Sequence, residues 1–126
     1  MDRELLELAA FAAGYDVKWR TKADIGMLDA LMVDIPIDSQ KLRWKTNPYN
    51  VWDPLTDDGD ALRLAVKLDI VPQSKCYDDY DKLFASACIY KDGGEVCSVR
   101  EPYTDDPYSA TRRAIVRAAA VLGSKK

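Results

Sequence analysis

Apolar residues recur at three- to four-residue intervals from Asp2 to Ala13, with Leu5, Leu8 or Ala9, and Ala12 on one face. That spacing predicts a helix, and Gly14 just past it supplies a stop. From Tyr15 to Arg20 the pattern alternates, Tyr15, Val17 and Trp19 against Asp16, Lys18 and Arg20, which is the period of a half-buried strand. Over Ala23 to Val33 the positions of Met27, Leu28, Leu31 and Met32 return to helical spacing, until Pro36 forces the chain extended. Lys41 to Lys45, with Leu42 and Trp44 on one side, reads as a short strand.

A turn-rich link from Thr46 to Thr56 carries Asn47-Pro48 and Asp53-Pro54. A helix should follow it. The Thr56 hydroxyl can cap free N–H groups, and Asp57, Asp58 and Asp60 suit the positive end of the helix dipole. Ala61, Leu64, Ala65 and Leu68 carry this helix towards Pro72. Leu83 to Arg100 reads as a β-hairpin turning at Asp92-Gly93, a pair suited to the positive φ of a type I′ turn. The last helix takes Asp106 as N-cap and Pro107 as its first residue. Tyr108, Thr111, Ile115, Ala118 and Leu122 form its stripe, and Gly123 closes it. Both later helices are approached through one grammar, Pro48-Tyr49 to Asp53-Pro54 and Pro102-Tyr103 to Asp106-Pro107. Two similar strand-to-helix corners, close in space, are expected.

The chain has 126 residues, 48% apolar and 31% charged, the make-up of a single globular domain over 1–126. Its class should be α+β, with about three main helices and a small, mainly antiparallel sheet. Histidine is absent, which removes the commonest general base and metal ligand. There is no Gly-rich phosphate loop, and neither a cofactor nor a metal is expected. A net charge of −3 argues against nucleic acid as a partner. No apolar run approaches the ~20 residues of a membrane span, so no membrane partner is expected. The opening Met-Asp-Arg-Glu lacks the grammar of a signal peptide, and the expected location is cytoplasmic.

The stretch from Trp52-Asp53-Pro54-Leu55-Thr56-Asp57-Asp58-Gly59 on to Leu68 resembles the signature of the phage ABA-sandwich domain family of small phage and prophage accessory proteins. The tail from Asp106-Pro107-Tyr108 to Ala120 is similar to that family's C-terminal helix, and Glu4 to Ala10 to its first. Together the three stretches cover about a third of the chain, in the family's order. The resemblance implies a three-layer α/β/α sandwich and an accessory role in the host cell. It carries no catalytic residue.

Candidate chemistry is sparse. Asp57, Asp58 and Asp60 invite a metal, but no register supplies the alternating oxygens and final Glu of a calcium loop, and a charged helix start is the simpler reading. A turn centred on Asp92-Gly93 sets Cys88 opposite Cys97, either a redox pair or two small residues on a packed face. The segment Ile25 to Ile37 is more apolar than a short connector should bury, which predicts a homo-oligomer unless these residues complete the monomer core.

The C-terminal helix says most. From Pro107 to Lys126 it holds Arg112, Arg113, Arg117, Lys125 and Lys126 and no acid, leaving −3 − 5 = −8 for the rest of the chain. These arginines are either a solvated face set against acidic neighbours or a phosphate- or carboxylate-binding site. In the second case Arg112, Arg113 and Arg117, with Trp52 and Tyr49 from the similar corner, line a site for a small anionic, nucleotide-like ligand that is held without turnover. A protein-interaction module that inhibits a host factor or assists phage assembly is the alternative. An enzyme ranks third, a carboxylate-based hydrolase being its one available form.

Overall fold

The computed structural model describes residues 2–15, 17–20, 30–33, 52–91, 94–103 and 106–125. Helix α1 (Asp2–Ala13) ends where its apolar spacing ends. Gly14 takes φ +77°, and the N–H groups of Gly14 and Tyr15 donate to the carbonyls of Phe11 and Ala10 at 3.1 and 3.0 Å. This Schellman closure needs the left-handed backbone that glycine adopts at least cost.

Strand β1 (Val17–Arg20) pairs antiparallel with β2 (Ala30–Val33), Val17 lying opposite Val33. The helix expected up to Val33 is thus corrected over 30–33. A short apolar run satisfies helical and extended spacing alike, and ladder partners decide between them. The rest of the Ile25–Ile37 segment, the strand expected at Lys41–Lys45 and Tyr49 lie outside the described residues.

Helix α2 (Asp58–Lys67) has Asp57 as its N-cap, whose side chain accepts from the Asp60 N–H at 3.1 Å. Thr56, expected in that role, instead donates its hydroxyl to Asp53 Oδ2 at 2.7 Å. The helix buries Ala61, Leu64 and Ala65 and stops at Leu68, short of Pro72. Asp69, at φ +56°, turns the chain into β3 (Ile70–Tyr77). No pattern announced this strand. One buried residue, Ile70, precedes an exposed polar run containing Pro72, which only an edge strand tolerates.

Strands β4 (Leu83–Lys91) and β5 (Gly94–Pro102) form the expected hairpin and complete an antiparallel sheet of order β3-β4-β5. Lys91 faces Gly94 and Tyr90 faces Glu95, as a turn at Asp92-Gly93 requires. The register then slips, so that Ile89 faces Cys97 and Cys88 faces Ser98. One extra residue on β5, Val96, accounts for the slip. The pairing of Cys88 with Cys97 is therefore corrected: Cys88 Sγ lies 3.7 Å from Ser98 Oγ, and Cys76 and Cys88 are free thiols.

Helix α3 (Pro107–Ser124) begins as its sequence indicates, the Asp106 side chain accepting from the Tyr108 N–H at 3.0 Å. Ala110, Ala114, Ala118, Ala119 and Ala120 are all buried, more than a single stripe would cover. The helix packs on all three strands of the sheet and also on α1 and α2. Small side chains permit that crowding. A Cβ on Gly123 would overlap the Leu8 carbonyl of α1, so this glycine marks a close helix contact. It sits inside the last turn, and Lys125 is the cap, which corrects the closing role expected of it. One core joins Leu6 and Ala10 of α1, Leu64 of α2, Ile89 and Val99 of the sheet and Val116 of α3. The fold is the expected α+β sandwich, with three helices and a three-stranded antiparallel sheet among the described residues. No helix among them is long and apolar enough to cross a membrane.

Candidate ligand-binding groove

The Asp-Pro corner before α2 is built from aspartates that serve the backbone. Asp53 accepts from the Leu55 N–H at 3.2 Å and from the Thr56 hydroxyl, fixing the turn. Buried Asp60 reaches back to accept from the Asp53 N–H at 2.9 Å, and its other oxygen lies 3.7 Å from Arg63. This acidic run organises a helix start. Among the described residues no group of three His, Cys, Asp or Glu is placed to hold a metal.

The two Asp-Pro corners are neighbours, as their shared grammar predicts. Arg112 of α3 joins them: its Nε donates to the Leu55 carbonyl at 2.8 Å and its guanidinium pairs with Asp58 at 2.5 Å. A third edge faces Asp106 at 4.0 Å. Beside this clip, residues of α2, β3, β4 and α3 line a half-open groove of about 700 Å³. Leu62, Tyr108, Leu83 and Ile115 are among its lining residues, together with Lys75 and Arg112. The walls are largely apolar, and both rim residues stand clear of the body, Leu62 at 60% and Tyr108 at 67% exposure. Lys75, at φ +60° where β3 bulges, donates its backbone N–H to the Tyr103 hydroxyl at 2.7 Å. Among the described residues the Lys75 ammonium forms no ion pair.

The five residues expected to form one site do not come together. Arg112 reaches the groove. Arg113 and Arg117 turn away, both pairing with Glu101 at the end of β5, and Arg117 also donates to the Arg100 carbonyl at 3.0 Å. These two answer to the reading of charges set against acidic neighbours. Trp52 is 4% exposed, its ring edge-on to Tyr15 at 5.7 Å in the core, so it has no face for a ligand. Burial, then the nearby Asp60 carboxylate, raises the pKa of that tyrosine. Tyr49 lies outside the described residues. Lys75, Leu62 and Tyr108 were missed as site residues because nothing local in the sequence marks a groove. Comparison with known proteins finds no family model, no curated protein and no solved structure that matches the chain.

Proposed function

We propose that this chain is a non-enzymatic binding protein for a small molecule with an apolar or aromatic body and an anionic group, nucleotide-derived compounds included. The carrying observation is the groove between α2 and α3, with its largely apolar walls and two cations at its border. Its volume falls within the roughly 300–1,000 Å³ typical of small-molecule sites, and a few polar groups in an apolar cleft are what orient such a ligand. The resemblance to phage accessory proteins supports a setting in the cytoplasm of an infected cell, where holding a host signal molecule would suffice for function.

Native mass spectrometry of the protein purified from infected cells tests this. A stoichiometric adduct, released intact on denaturation and lost in Leu62→Asp, is expected. A bare protein whose melting temperature no aromatic carboxylate or nucleotide shifts at millimolar concentration overturns it.

A second reading, docking of a partner's apolar segment as in host-factor inhibition or phage assembly, is favoured by Val66. It is 70% exposed and lies one helical turn from Leu62, extending the apolar strip beyond the groove. A second copy of this chain is the simplest such partner. Light scattering showing only the 14.2 kDa monomer at high micromolar concentration removes the homo-oligomer.

A further inference from the structure

We infer that Asp58 is a built-in stand-in for the ligand's anionic group, and that a bound carboxylate, sulfonate or phosphate takes its place on Arg112. The inference rests on the groove being the binding site and adds which contact the ligand breaks. Arg112 and Asp58 both border the groove, and their partnership is lopsided. The arginine side chain is 16% exposed and is aimed by its Nε bond to the Leu55 carbonyl, which does not involve Asp58. The aspartate side chain is 70% exposed and sits in the first turn of α2, so water can solvate it as soon as it swings away. A guanidinium fixed from behind with an anion at its front suits exchange of that anion for another. Because the aspartate half of the pair is already largely in water, the exchange costs little. The ligand class follows: rings or short aliphatic chains between Leu62 and Tyr108, with one anionic group directed at Arg112.

Two fluorescent probes separate the claims. Anilinonaphthalene sulfonate carries an aromatic body and one anion, whereas phenylnaphthylamine is nearly the same body without charge. Asp58→Asn should tighten sulfonate binding by about threefold and leave the neutral probe unchanged, since a weak internal competitor is removed. Asp57→Asn is the control for a general change in field, because it removes a charge one residue away while asparagine still caps the helix. Its effect should be clearly smaller. Equal tightening by the two variants, or none by either, overturns the stand-in role. Failure of both probes to bind the native protein, or binding that survives Leu62→Asp, instead overturns the groove itself. Near-UV circular dichroism of each variant shows that the probes meet folded protein.

Discussion

Arg112 holds the Leu55 carbonyl, Asp58 and the region of Asp106, so one side chain fastens the starts of two helices. A lysine keeps the charge but loses the fork that reaches several acceptors. Arg112→Lys should cost about 1–3 kcal/mol in urea unfolding, since a part-buried carbonyl loses its charged donor. A change under roughly 0.5 kcal/mol would mean that the clip is idle. Arg113 and Arg117 differ because they share one carboxylate, Glu101. Each single alanine variant should cost no more than about 1 kcal/mol, while the double variant should exceed the sum, leaving Glu101 with neither cation. Strict additivity contradicts that sharing. Asp78 gives a pH signature. It accepts from the backbone N–H groups of Lys82 and Tyr80, in that order of effect, which lowers its pKa below the usual 3.8. A depressed carboxyl stabilises the fold above its ordinary value and loses that contribution as pH falls through the folded value. In an acid titration the Tyr80 and Lys82 amide resonances should move together, with a midpoint below pH 3.8. A midpoint at or above it breaks the assignment.

At the scale of elements, local grammar was readable where a single residue type decides the backbone. Gly14 ends α1 and Asp106-Pro107 opens α3 as their chemistry requires. The hairpin turn was equally plain, yet one bulge residue reversed the consequence drawn for Cys88 and Cys97. An insertion of that kind leaves no mark in hydrophobic period, because the slip is settled by ladder partners on another strand. The β3 strand was hidden for a related reason: an exposed edge needs no alternation. Gly123 shows the opposite error, a residue read as a local stop whose role is the close approach to α1. Gly123→Ala should destabilise by about 1–3 kcal/mol or more, because the added methyl meets fixed backbone and α1 must move. Urea unfolding unchanged by that substitution would refute so tight a contact.

For the whole molecule, class and core followed from composition and period, whereas the site did not. Sequence spacing brought Arg112 near the first corner correctly, through the shared Asp-Pro grammar. It also grouped Arg112 with Arg113 and Arg117, since neighbours on a basic helix look alike until their acids are located on another strand. Trp52, grouped with the arginines by its place beside an Asp-Pro corner, is buried against Tyr15 in the core. The groove belongs to no single stretch: α2, β3, β4 and α3 all line it, with residues far apart in the chain. An amide chemical-shift map with anilinonaphthalene sulfonate tests that placement most directly. The account predicts saturable shifts centred on Leu62, Ser74, Lys75, Leu83, Tyr108 and Thr111, with the hairpin end of β4 and β5 unmoved. Shifts centred on Arg113, Arg117 and Glu101 instead, or scattered without saturation, would contradict it.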